Sequence, residues 1–167
     1  MIEIINQYAK KYSVPNEKER PASRGIVVKN GKILLSYEKN TDVYMTPGGG
    51  LEANETLEEC CVRELKEETG YLVVPKKQIL IINEYCFETK YISNYFLCEI
   101  IGESEQSLTD IEVEHGITPV WIEIDKALEL FGKYDSYRDD IASLYLREYT
   151  VINKYLKLNT CSDLFNS

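Results

Sequence analysis

The chain has 167 residues, 44% apolar and 28% charged, a balance that suits a soluble globular protein able to bury one core. Its 28 acidic residues against 19 basic ones leave a net charge of −9. That excludes nonspecific binding to DNA, RNA or anionic membranes, for want of a broad basic surface, but not binding of a small nucleotide, because bound cations invert the local sign.

Ile2, Ile5, Ala9 and Tyr12 fall at helical spacing and predict a short amphipathic helix in an N-terminal extension, residues 1–20. The polar, proline-bounded PNEKERPAS reads as a linker into the main domain, residues 21–158. The helix is expected to pack on the body, with a partner subunit as the alternative. Asn30-Gly31, between the aliphatic runs of RGIVVKNGKILLSYEK, predicts a β-hairpin. Residues 43–46 form a further short strand, leading to Pro47 and the run Gly48, Gly49, Gly50.

Thr56, with Glu59 three residues on, predicts a capping box, and Gly70 marks the C-terminal end of the helix it opens. Leu57, Cys61 and Leu65 give that helix one apolar stripe. Residues 72–74 and 78–87 read as strands broken at Pro75, and residues 91–101 as a strand pairing back through Glu88-Thr89-Lys90. Residues 102–118 form a long acidic loop, a length that points to function. A strand over 119–124 carrying Trp121, a short helix over 125–131 and a last helix over 137–158 follow. Ile141, Leu144, Tyr145, Tyr149, Ile152, Tyr155 and Leu156 supply the last helix with its apolar stripe, and residues 159–167 read as a frayed tail.

Cys60, Cys61, Cys86, Cys98 and Cys161 are odd in number with no CxxC pair, so mostly buried, reduced thiols are expected, not a zinc site or disulfide framework. No apolar core of a signal peptide is present at the N-terminus, and no run approaches the roughly 20 residues of a membrane span. A cytoplasmic location is the expectation.

Glu64, Glu67 and Glu68 stand at i, i+3 and i+4 and crowd one side of the predicted helix. They also lie in its last two turns, where the macrodipole already disfavours acids. Two carboxylates about 6 Å apart repel by about 0.7 kcal/mol in water and about 3 kcal/mol at an effective dielectric of 20. Arg63 and Lys66 offset part of this. A bound hard cation resolves the rest, and a solvated acidic face is the plain alternative.

Gly49, five residues, Glu55, seven residues, then Arg63-Glu64-Leu65-Lys66-Glu67-Glu68-Thr69-Gly70 resembles the signature box of the Nudix hydrolases. The one departure is Tyr71, where the family usually has an aliphatic residue, a change that bears on packing. The resemblance implies an α+β fold, a Nudix-type α/β/α sandwich with a mixed β-sheet and a loop-helix-loop for the box. The element pattern by itself supports only a mixed α and β domain.

The resemblance further implies hydrolysis of a nucleoside diphosphate linked to another group, by attack of water on a phosphorus of the pyrophosphate. The implied cofactor is Mg2+, with Mn2+ as an alternative. Glu64 and Glu68 are the implied ligands, Glu67 a ligand or water-positioning acid, and the Gly48 carbonyl a further oxygen. Arg63 and Glu55 become a supporting ion pair, whose alternative is an ordinary surface bridge. Family members often add an acid from a later loop, for which Glu112 and Glu114 are the candidates, with His115 beside them. Tyr44, Tyr85, Phe87, Tyr91 and Tyr95 are candidates to stack on a nucleobase.

No substrate subfamily is marked. The proline of the ADP-ribose type is replaced by Cys86, and the tyrosine of the diadenosine polyphosphate type by Phe87, Glu88 and Thr89, with Tyr91 just beyond. The expected partner is a small nucleotide, without nucleic-acid polymer or membrane, and a homodimer is compatible with the amphipathic termini. A nucleotide-sensing module that does not hydrolyse is the alternative from another class, and a protein using its acids only for solubility is a third.

Overall fold

The computed structural model describes residues 1–12 and 18–164. Strands β1 (Glu3–Tyr12), β2 (Lys18–Ile26), β3 (Val28–Lys29), β4 (Lys32–Glu38), β5 (Val43–Met45) and β6 (Gly48–Gly50) precede helix α1 (Leu57–Thr69). Then come β7 (Tyr71–Phe87), β8 (Thr89–Glu103), α2 (Asp110–His115), β9 (Ile117–Glu123), α3 (Ile124–Gly132) and α4 (Asp139–Leu164).

Asn30 and Gly31 both take left-handed backbone angles, φ 52° and 74°, which is the turn that matches strand twist in a two-residue hairpin. The turn folds β3 back on β4, which β9 lines along its whole length and β5 joins on the edge shared with β3. A second, five-stranded sheet runs in the order β1-β7-β8-β2-β6. In it β1 is parallel to β7 and β2 parallel to β8, while β7–β8 and β2–β6 are antiparallel.

Alternation along β4 shows how the layers divide. Ile33 and Leu35 point into a core shared with Leu80, Ile82 and Tyr95 of the large sheet and with Phe131 of α3 and Tyr145 and Ile152 of α4. Leu34 points the other way, into a core formed with Cys61 and Leu65 of α1, Val73 and Phe96. The sheets therefore lie between α1 on one side and α3 with α4 on the other, the expected α+β sandwich. Trp121 and Tyr71 meet edge to face at 5.9 Å under α1, with Trp121 Nε1 donating to the Tyr71 hydroxyl at 3.2 Å. Tyr71 thus takes the aliphatic position with its polar tip satisfied.

Five local expectations are corrected. Ile2, Ile5, Ala9 and Tyr12 do not form a helix. Glu3–Tyr12 is a strand, because β7 offers it a parallel edge that an isolated short helix cannot match. Residues 15–17 of the expected linker lie outside the described residues, and its remainder, from Lys18, is part of β2. Pro75 does not interrupt β7. It sits at a register shift, where a missing N–H costs the ladder little. The acidic loop carries α2, opened by a second capping box in which Thr109 and Glu112 exchange bonds. Helix α4 runs on to Leu164 instead of fraying after residue 158, while residues 165–167 lie outside the described residues.

Cys60, Cys61, Cys86 and Cys98 are free thiols, as expected. No helix among the described residues is long and apolar enough to cross a membrane. Leu65, fully buried between α1 and both sheets, anchors the second core. Replacing it with alanine should cost about 2–5 kcal/mol, read as a lowered urea midpoint at unchanged slope.

Candidate active site

Helix α1 is fixed at both ends before it presents any acid. Thr56 accepts from the Glu59 amide at 3.2 Å while the Glu59 carboxylate accepts from the Thr56 amide at 2.7 Å, and Gly70 closes the other end at φ 75°. The chain after β8 is then laced to that C-terminus. Ser107 N donates to Glu67 O at 3.0 Å, Ser104 N to Gly70 O at 2.6 Å, and Gln106 Nε2 to Glu68 O. These bonds satisfy carbonyls that a helix end leaves open. They also bring α2 alongside, so that Glu112 reaches the acids of α1.

The result is a cluster of three carboxylates, Glu64, Glu68 and Glu112, with one oxygen of each within 4.8 Å of the others. Glu68 is buried and bonded on Oε2 by Ser36 Oγ at 2.6 Å and by the Gly48 amide at 3.2 Å. Burial pushes its carboxyl up to about 8, against the opposing pull of Ser36 and Arg24. Glu64 is also raised, by burial first, with Arg63 pulling the other way. Gly49 lies flat against Glu64: a Cβ there would stand 2.5 Å from the carboxylate, so any larger residue would push Glu64 out of its place.

Arg63 holds the approach together. Its Nε and Nη2 grip the two oxygens of Glu55 at 3.0 and 2.7 Å, Nη2 also donates to Gly50 O at 3.0 Å, and Nη1 reaches Glu64 Oε1 at 2.7 Å. The bidentate guanidinium holds Glu55 down to about 2. The expected pairing of Arg63 with Glu55 is thus present, and it ties β6 to the helix in a way that a simple surface bridge does not.

The remaining candidates separate. Glu67 stands outside the three-acid cluster, bonded by Arg63 Nη1 at 3.3 Å, on a groove shared with Lys66 and Ser107. The Gly48 carbonyl lies 3.4 Å from Arg24 Nη1. Glu114 is exposed and contributes its backbone oxygen to Asn40, while His115 Nδ1 faces Glu38 Oε1 at 3.6 Å. Tyr95 is fully buried with its hydroxyl toward Glu148, so it cannot stack on a base. Tyr44 stacks on Tyr37 at 4.4 Å and Tyr85 on Tyr8 at 4.7 Å, whereas Tyr91 borders a cleft of about 520 Å³ with Arg20, Arg24, Gly49, Gly50 and Leu51. Ser36 and Arg24 were not foreseen. The signal for Ser36 was present, a hydroxyl at the position where the alternation of ILLSYE continues from Leu34.

An ADP-ribose pyrophosphatase of Methanocaldococcus jannaschii is 37% identical over 92 residues, covering 46% of this chain and 53% of that protein. An RNA pyrophosphohydrolase of Halorhodospira halophila is 46% identical over 48 residues, covering 28% of this chain and 26% of that protein. The chain thus spans about half the length of the first relative and about a quarter of the second. Among solved structures, a NUDIX hydrolase from Nitrosomonas europaea shares the fold at a TM-score of 0.60 and 23% identity, over 80% of this chain and 90% of that one. Residues 19–143, well over half of the chain, match the NUDIX domain, and the chain belongs to that family.

Proposed function

We propose that this protein is a divalent-metal-dependent pyrophosphohydrolase of small nucleotides, cleaving a nucleoside diphosphate linked to another group. The observation that supports it most is the meeting of Glu64, Glu68 and Glu112 within 4.8 Å beside the glycine strand of a NUDIX chain. The donor set fits a hard cation: three carboxylates, and no thiol or imidazole among the clustered groups. Glu64, Glu68 and Glu112 would hold Mg2+, or Mn2+ in its place. Such an ion supplies charge to neutralise the pyrophosphate oxygens and to acidify water for attack at phosphorus.

The chain's own groups divide the remaining work. Arg63, braced by Glu55, keeps Glu64 oriented and donates no proton, since a guanidinium stays charged. Ser36 and the Gly48 amide orient Glu68. Glu67, at the rim with its carboxylate 3.3 Å from Arg63 Nη1, is the acid available to orient water or take its proton. Arg20 and Arg24 border the neighbouring cleft with cationic groups suited to a phosphate, and Tyr91, 38% exposed, offers a ring face to a base.

The net charge of −9 disfavours a long RNA, and the ADP-ribose-cleaving relative aligns over 92 residues against 48 for the RNA-cleaving one. ADP-ribose therefore heads the substrate panel, which should also hold nucleotide sugars, dinucleoside polyphosphates, 8-oxo-dGTP and ordinary nucleotides.

Two outcomes test this reading. With Mg2+ present, one class in the panel should be hydrolysed, and Glu68→Gln should lower kcat/KM by roughly 100-fold or more. Nucleotide binding without turnover across the panel would favour a sensor instead. The second outcome concerns pH. A carboxyl at about 8 in the native state and 4.5 when unfolded makes the native state hold the extra proton between those values. The stability of metal-free protein should therefore fall as pH rises from about 5 to about 8, and Glu68→Gln should flatten that slope in thermal melts. Adding Mg2+ at the alkaline end should restore the lost stability.

A further inference from the structure

A buried polar chain runs from the C-terminal helix to the loop that delivers Gly48. Glu148 of α4 is 0% exposed. Its Oε1 accepts from Arg147 Nη2 at 2.8 Å and Nε at 3.1 Å, and from the Tyr95 hydroxyl at 3.4 Å. Its Oε2 accepts from Thr46 Oγ1 at 2.8 Å. Arg147 Nη1 continues the chain to Glu84 Oε1 on β7 at 2.8 Å, and Ser143 Oγ closes on Glu84 Oε2 at 3.2 Å.

Thr46 is where this chain meets the active site. Its carbonyl accepts from Arg24 Nη1 at 2.9 Å, the same nitrogen that lies 3.4 Å from the Gly48 carbonyl. Pro47 O accepts from the Gly25 amide at 3.0 Å, and the Gly48 amide donates to Glu68 at 3.2 Å. The backbone from Thr46 to Gly48 is thus held by Glu148 and Arg24 from behind and by Glu68 in front. Burying two carboxylates on one guanidinium is a poor way merely to fill a core, because an apolar set of similar volume avoids desolvating charge. Arg147 and Glu148 also lie beyond residue 143, where the family match ends.

We propose that Glu148 is a positioning residue: through the Thr46 hydroxyl it sets the Gly48 amide against Glu68, and so the C-terminal helix tunes affinity for the divalent cation. This rests on the cation site proposed above. The competing account is purely structural, in which the same bonds add stability and leave cation affinity alone.

The test is titration of metal-free protein with Mn2+, with the free ion followed by electron paramagnetic resonance and thermal melts run alongside. Thr46→Val removes the hydroxyl at nearly constant volume, and Thr46→Ser keeps it. Folded Thr46→Val should bind Mn2+ roughly tenfold more weakly or worse, the size typical of lost support behind a ligand. Thr46→Ser should recover the wild-type affinity. Should Thr46→Val bind Mn2+ as wild type does, whatever its melting temperature, the positioning role is overturned. If wild-type protein binds no Mn2+, the cation site itself fails, and the inference falls with it.

Discussion

The hydrogen bonds on Glu68 are the constraint from which the rest of the site follows. A carboxyl group taken almost wholly out of water must find donors, and here they come from two other elements, Ser36 on β4 and the Gly48 amide of the glycine strand. Because Glu68 belongs to the last turn of α1, those two bonds fix the helix end against both sheets at once. The apolar side of the same helix, Cys61 and Leu65 against Leu34, Val73 and Phe96, sets its depth. Rotation about the helix axis is then no longer free, and Glu64 must face Gly49.

That geometry concentrates negative charge where a helix tolerates it least. Arg63 relieves part of the strain by spanning Glu55, Glu64 and Glu67, yet it is one cation among the acids. Glu112 then arrives from α2 and adds a further charge instead of relieving it. Stability alone does not select such an arrangement, and this is the ground on which a hard cation is proposed there. The lacing of residues 104–107 to the helix C-terminus has the same logic: it satisfies carbonyls and, in doing so, carries the third acid into place.

Much of this is written locally. Asn30-Gly31, the Thr56–Glu59 box and Gly70 each act within a few residues, so the sequence carries them plainly. The N-terminal strand is harder to read. Its inward face holds Ile5, Gln7 and Ala9, its outward face Ile4 and Tyr8, so polar and apolar residues fall on both sides and the period of two disappears. Helix α2 had a signal, since Thr109 and Glu112 repeat the capping spacing of α1. The choice between Glu112 and Glu114 had none, because it depends on where the loop docks. Glu148 interrupts the apolar stripe of α4 between Tyr145 and Ile152, a buried-charge clue whose partner, Thr46, is 102 residues away.

The claim on which the account stands is that the carboxylates of Glu64, Glu68 and Glu112 are held together to take a divalent cation. Calorimetric titration of metal-free protein with Mg2+ near neutral pH, in two buffers of different ionisation enthalpy, tests it most directly. The account predicts saturable binding with a proton released to the buffer, as Glu68 gives up the one it holds near pH 7, and loss of both signals in Glu68→Gln. Absence of saturable binding by the wild-type protein, or binding that survives Glu68→Gln unchanged, would contradict it.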